Sequence, residues 1–99
     1  MYVVREIVQC KPGKVRQMLG KFKVISSTLH NMGQDRFRLL TDVTGEPFWT
    51  LVAEISVEHL DDFFAMEEKL MTHEAIRQAM ADYHDLVESG RREIYRIES

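Results

Sequence analysis

Tyr2-Val3-Val4-Arg5-Glu6-Ile7-Val8-Gln9-Cys10 opens the chain with a run rich in β-branched residues, the composition of a strand. Successive side chains of a strand point to opposite faces. Val4 and Val8 therefore lie on one face, and Val3 and Ile7 on the other. A sheet covered on one side only should alternate apolar with polar, and this segment does not. Phe48 to Val57 repeats the pattern, with Trp49, Leu51, Ala53, Ile55 and Val57 against Phe48 and Val52. Both faces of the sheet built from these strands need a cover.

Outward from the first strand, Pro12-Gly13 breaks the extended run and starts a helix. Val15, Met18, Leu19, Phe22, Ile25 and Leu29 recur there at helical spacing, and Gly33 is a natural stop. Arg36 to Thr44 alternates as a second strand. Thr44-Gly45-Glu46-Pro47 supplies a turn into the third strand, Phe48 to Val57, as its hairpin partner. A long helical stretch is then expected from His59 to about Ser89, kinked near Thr72 as the cap of its second piece. Its first stripe is Leu60, Phe63, Phe64, Leu70 and Met71. Its second is Ile76, Ala79, Met80, Tyr83, Leu86 and Val87. Gly90 ends the helix, and Arg91 to Glu98 forms a last short strand.

The order β-α-β-β-α-β is the ferredoxin-like arrangement, an α+β fold with a four-stranded antiparallel sheet. We expect residues 1–99 to form a single unit of this kind. Two helices cover one face of such a sheet. A second copy, docked by two-fold symmetry through the other face, is the economical cover for the rest. A homodimer is therefore expected.

The totals exclude several function classes. The longest apolar runs fall far short of the roughly 18 residues a membrane span needs, and charges at Arg5 and Glu6 interrupt what would be a leader's apolar stretch. Neither a membrane nor a leader is expected. Cys10 is the single cysteine, so no internal disulfide can form, which points to the reducing cytoplasm. A net charge of −3 gives no general attraction to nucleic acid. The charges are unevenly spread. Seven basic residues against one acidic lie between Lys11 and Arg38, and ten acidic against two basic between Glu54 and Glu88. Such runs are solvated helix faces, or they pair with each other.

Few residues combine into a chemical motif. His30, His59, His73 and His84 show no spacing that would place two metal ligands on one helix face, so no metal is expected. Cys10 has Lys11 beside it but no visible base, and reads as a small buried hydrophobe. Tyr83 and His84 are adjacent, and adjacent helix positions point about 100° apart, so only one of them can face a given cleft. Arg5 and Glu6, in an otherwise apolar strand, each need a partner. Glu54 on the third strand and Arg92, Glu93 or Arg96 on the fourth can supply cross-strand ion pairs. Alternatively, one of these charges faces a cleft and holds a small polar ligand.

With that element order, with Lys11-Pro12-Gly13-Lys14 leading into the first helix, and with Met71-Thr72-His73-Glu74-Ala75-Ile76-Arg77 late in the second helical region, the chain resembles the dimeric α/β-barrel superfamily. That group holds the antibiotic-biosynthesis monooxygenase-like and NIPSNAP-like small proteins. The resemblance implies two sheets closing a barrel across the dimer axis, and a cleft between each sheet and its own helices. Haem-degrading members resemble one another in an Asn on the first strand, a Trp where the third strand ends and a His late in the second helix. This chain has no Asn between Tyr2 and Gln9, carries Trp49 at the strand's start, and has Met80 about where the axial His would stand. Haem is therefore not implied, and no cofactor is expected.

The reading that follows is a cytoplasmic homodimer holding a small, mostly apolar or aromatic molecule in the sheet–helix cleft. Trp49, Tyr83, His84, Met80, Arg5 and Glu54 are its candidate ligand-binding residues, with no catalytic set assigned. The resemblance also implies an enzyme reading, cofactor-independent oxygenation of an aromatic or polyketide-like substrate. A third reading is a non-catalytic module that meets a protein partner through its basic and acidic helices.

Overall fold

A computed structural model describes residues 1–44 and 47–99. Its elements run β1 (Tyr2–Cys10), α1 (Val15–Asn31), β2 (Arg38–Thr41), β3 (Thr50–Val57), α2 (Leu60–Met71), α3 (Glu74–Ala79), α4 (Tyr83–Leu86) and β4 (Val87–Arg96). The four strands form one antiparallel sheet in the order β2-β3-β1-β4. This is the expected ferredoxin-like α+β fold, with the helices on one face.

The pairing register fixes which side chains share a face. Val4 stands between Ile55 and Ile94, Glu6 between Ala53 and Arg92, and Val8 between Leu51 and Gly90. This row points toward the helices. Val4, Val8, Cys10, Leu51, Ala53 and Ile55 are all buried there beneath Met18, Phe22, Ile25 and Leu29 of α1 and Phe63, Met66 and Leu70 of α2. Burying such a side chain contributes about 1.5–3 kcal/mol, so this layer dominates stability. On the opposite face Val3 lies beside Tyr95, Arg5 between Glu54 and Glu93, and Ile7 between Val52 and Arg91. Among the described residues no helix covers that side, and the residues on it are half-buried at most.

The α1 stripe packs as expected, and the helix ends in a Schellman motif. Gly33 takes φ +85°, the N–H of Gln34 donates to the Leu29 carbonyl at 3.0 Å, and the N–H of Gly33 donates to that of His30 at 3.0 Å. The expected turn at 44–47 includes Gly45 and Glu46, which lie outside the described residues. The flanking strands are shorter than expected, because β2 pairs only over Arg38–Thr41.

The stretch from 59 to 89 is not one kinked helix. It breaks at Thr72, whose hydroxyl donates to the Lys69 carbonyl at 2.9 Å and closes α2. His73, rather than Thr72, caps α3, its Nδ1 accepting the Ala75 N–H at 3.2 Å. After α4 the chain becomes a strand at Val87. Gly90, expected to end a helix, sits inside β4 opposite Val8. Val87 to Arg92 has little strand propensity of its own, and the free edge of β1 recruits it. Phe64 and Met71 also leave the expected stripe and lie exposed.

Candidate functional site

Two polar constellations flank β1, one on each side of the sheet, because Arg5 and Glu6 are neighbours in sequence and point opposite ways. On the helix side, Glu6 lies directly across from Arg92 of β4, and the Nε–H of Arg92 donates to the Glu6 carboxylate. The Arg92 fork continues to Glu67 of α2, with Nη1 3.2 Å from Oε1 and Nη2 on Oε2. The guanidinium stands 5.5 Å from the centroid of the Phe63 ring, a cation–π contact. One cation is thus shared between two carboxylates, and the trio keeps a net negative charge.

Next along β4, Gly90 leaves the sheet bare. A Cβ there would lie 3.8 Å from the Tyr83 hydroxyl and 3.6 Å from the Ile7 carbonyl oxygen. The phenol of Tyr83 therefore reaches the strand that carries Arg92, two residues from it. Burial pushes the Tyr83 phenol up, with the thiol of Cys10 and the carboxylate of Glu6 adding to the shift. It stays protonated. Burial also pushes the Glu6 carboxyl up, and its bond and attraction to Arg92 only partly offset this, while the Glu67 charge adds to it. Glu6 is a more basic carboxylate than an exposed one. Among the described residues, no side-chain hydrogen bond engages the Tyr83 hydroxyl or the second oxygen of Glu6. Both groups lie on the helix side of the sheet, and each is able to hydrogen-bond the polar end of a small molecule.

On the open side, Arg5 Nε lies 2.8 Å from Glu54 Oε2, and Arg38 approaches the other carboxylate oxygen at 4.0 Å. The Arg5 guanidinium stands 5.4 Å from the Tyr95 ring centroid, and Arg91 pairs with Glu93 at 3.3 Å. These charges frame a hollow of about 910 Å³, floored by Ile7, Leu40 and Val52. A second hollow, of about 670 Å³, opens where Met32 meets Ile55 and Met66.

The six candidate residues do not share one site. Arg5 and Glu54 pair with each other on the open face, so neither faces the helix-side cleft expected to hold them. Tyr83 points to the sheet and Met80 packs against the core. His84 is exposed, its ring 5.5 Å from that of Tyr83 and at 75° to it. Trp49 precedes β3 instead of belonging to it. Its backbone takes φ +63°, its carbonyl accepts the Cys10 N–H at 2.9 Å, and its side chain lines neither hollow. Cys10 is 1% exposed, and burial pushes its thiol up, with the Asp42 charge adding. It is a packing residue, unsuited to nucleophilic use.

The sequence reading offered Glu54 on the third strand and Arg92, Glu93 or Arg96 on the fourth as partners of Arg5 and Glu6, and the structure forms Arg5–Glu54 and Glu6–Arg92. It missed Glu67, Phe63 and Gly90 as members of the helix-side cluster. A glycine inside a strand marks a close approach by another group, but that signal is available only once Gly90 is known to lie in a strand.

No protein-family model matches the sequence, and no curated protein matches it either. Solved structures do match in shape. An uncharacterised NIPSNAP-like domain protein from Burkholderia xenovorans superposes with a TM-score of 0.83 at 16% identity, over 99% of this chain and 85% of that one. A NIPSNAP family protein of unknown function from Agrobacterium tumefaciens gives 0.80 at 17% identity, over 98% and 87%. An antibiotic biosynthesis monooxygenase-like protein from Nitrosomonas europaea gives 0.74 at 17% identity, over 100% of both chains. The structural neighbours are thus the two groups that the sequence resembles. At such identities the likeness establishes a common fold, and function has to be argued from the site.

Proposed function

We propose that this protein is a cytoplasmic homodimer that binds a small, mostly apolar molecule by its polar end in the cleft between the sheet and its helices. One observation carries this reading. The Tyr83 hydroxyl stands beside the bare backbone of Gly90, and the Glu6 carboxyl lies on the same face of the sheet two residues along β1 from Val8, the partner of Gly90, amid aliphatic and aromatic side chains. A few convergent polar groups on an apolar wall are the usual make-up of a ligand site. The dimer is supported by the uncovered face. Ile7, Leu40, Val52 and Tyr95 stand there among charges of both signs, Arg5, Arg38 and Arg91 with Glu54 and Glu93, and a two-fold contact requires a self-complementary patch of this kind. The lone buried cysteine supports the cytoplasm. Pairing of Lys21 with Asp82 inside the chain draws on both charged segments and weakens the reading as a protein-interaction module.

A second reading has its own observation. A carboxylate made more basic by burial beside a phenol is suited to taking the proton of a phenol or quinol, whose anion can then reduce dioxygen without a cofactor. The neighbour from Nitrosomonas europaea makes that chemistry worth testing. Mass spectrometry of the native protein should show a dimer of about twice 11.6 kDa carrying a co-purified small molecule, which Glu6→Gln/Tyr83→Phe loses. An empty protein that takes up no phenol, quinol or other flat apolar compound would remove the binding reading. Oxygen consumption with the same compounds, abolished in the double variant, would select the enzyme reading.

A further inference from the structure

Tyr83 is the first residue of α4, a helix of four residues that follows α3 after a turn of three, Met80 to Asp82. Elements this short do not hold their own geometry in water, so something else must fix the height of Tyr83 over the sheet. The buried anchors of the segment, Ile76 and Leu86, lie outside the turn. Within it Met80 packs half-buried against the core, and the Tyr83 N–H donates to the Met80 carbonyl at 3.1 Å. Inside it, one side chain from another element intervenes. Lys21 of α1 donates from Nζ to the carbonyl of Ala79 at 2.6 Å and pairs with the Asp82 carboxylate. Only 13% of the Lys21 side chain is exposed, so its alkyl stem is packed and its ammonium has little freedom to leave.

Both partners are diverted from their ordinary uses. Ala79 ends α3, and its carbonyl is one of those a helix end leaves unsatisfied. Asp82 holds the position that should cap α4, yet it makes no side-chain capping bond. Its carboxylate points to Lys21, whose hydrogen bond is the main cause holding the Asp82 carboxyl below the usual range. The acidic cap of one short helix and the carbonyl end of the other are therefore clamped by a single cation from outside both.

We infer that Lys21 is a positioning residue for the cleft: its clamp on Ala79 and Asp82 closes the α3–α4 turn and sets the Tyr83 hydroxyl beside Gly90. This rests on the proposed small-molecule site for its consequence, while the clamp has readouts independent of any ligand. Lys21→Met keeps the alkyl stem and removes both polar contacts. Lys21→Arg keeps a cation and should restore the behaviour.

Amide hydrogen exchange in the dimeric protein is the first measurement. In Lys21→Met, exchange at Tyr83 to Leu86 should accelerate about 10-fold, as expected when a charged donor's hydrogen bonds are lost, while β1 and β3 keep their protection. The second is the titration of the Tyr83 phenol, followed by 13C labelling of the three tyrosines and assigned by Tyr83→Phe. It should move down toward an ordinary tyrosine in Lys21→Met and return in Lys21→Arg. The third is the fluorescence of 2-naphthol, used as a flat, neutral phenol probe, whose affinity should fall several-fold in Lys21→Met. Unchanged exchange and an unchanged Tyr83 titration would overturn the inference. If both move but 2-naphthol binds no form of the protein, the clamp stands and the ligand reading falls. Should Lys21→Met fail to fold, Asp82→Asn, which leaves the Ala79 contact intact, is read by the same exchange and titration, with a smaller shift supporting the clamp and none overturning it.

Discussion

The two faces of the sheet carry the same ingredients, aliphatic side chains around one ion-pair cluster, and use them differently. On the helix side Arg92 is shared by Glu6 and Glu67, and burial outweighs its attraction enough to push the Glu6 carboxyl up. On the open side Glu54 is shared by Arg5 and Arg38, with the arginine side chains 42% and 75% exposed. One cluster has two carboxylates around a cation, and the other two cations around a carboxylate. The contrast teaches that charges one residue apart in a strand can be given different tasks by what lies above and below them. A half-buried carboxylate with an excess of negative charge is a site for a proton or a hydrogen-bond donor. A solvated cluster of mixed sign is a surface on which the proposed two-fold contact can form.

The strongest way to break this comparison is to place one charge on each face. Val4→Asp buries a carboxylate where the valine is 1% exposed. It should cost on the order of 5 kcal/mol, from the lost burial and an unpaired buried charge together, and abolish cooperative urea unfolding. Val3→Asp, on the open face, should leave the chain folded by circular dichroism and move its sedimentation toward 11.6 kDa. Equal damage from both would mean that the open face is as essential to the monomer as the core.

Removing the central charges comes next in size. Arg92→Met leaves two carboxylates facing each other and should lower stability by about 1–3 kcal/mol. Arg5→Met, at an exposed pair, should cost within about 1 kcal/mol in the isolated chain. Urea midpoints for both variants, measured at a concentration where the chain is monomeric, test the ordering.

A pH experiment sharpens the same contrast. Glu6 is raised above its ordinary value of 4.5, so the folded chain holds that proton more tightly than the unfolded one. Its contribution is present below the ordinary carboxylate range and lost as pH rises through the raised value. Glu6→Gln should remove that fall in stability with rising pH. Asp82 behaves oppositely. Its carboxyl is lowered by Lys21, so its contribution is present at neutral pH and lost on acidification. If Glu6→Gln left the slope just above 4.5 unchanged, the assignment of that carboxyl would fail.

The smallest expected effect is at Gly90. Gly90→Ala meets only ordinary contacts and should be neutral or stabilising by up to about 1 kcal/mol, because a strand glycine gives up more freedom on folding. It should nonetheless weaken binding of a phenol probe, since the methyl fills the space beside the Tyr83 hydroxyl. Calorimetric melting and a binding titration of the same variant separate the two effects.

Much of this was readable in the residues. The doubly apolar strands, the α1 stripe and its Gly33 stop, the order of elements and the opposed directions of Arg5 and Glu6 all follow from local periodicity. Charge sign and strand order named Glu54 as a partner and left Arg92, Glu93 and Arg96 open on the fourth strand, and the register chose Arg92 for Glu6. The segment after Thr72 was harder, because Val87 to Arg92 carries no strand signal and becomes a strand only against the free edge of β1. Gly90 therefore looked like a helix stop, and the cluster around it stayed hidden.

By itself, the sequence determined that the β1 strand Tyr2–Cys10 is apolar on both faces and that its two charges point apart. A strand's period of two makes that a local fact. It did not determine which face the helices cover. That choice depends on the handedness of the crossover from β1 through α1 to β2, which is a property of the whole sheet. Only the tertiary structure put Glu6, rather than Arg5, beneath the helices. With that choice came the burial that raises its carboxyl, its company of Arg92 and Glu67, and the separation of Arg5 and Glu54 from the helix side.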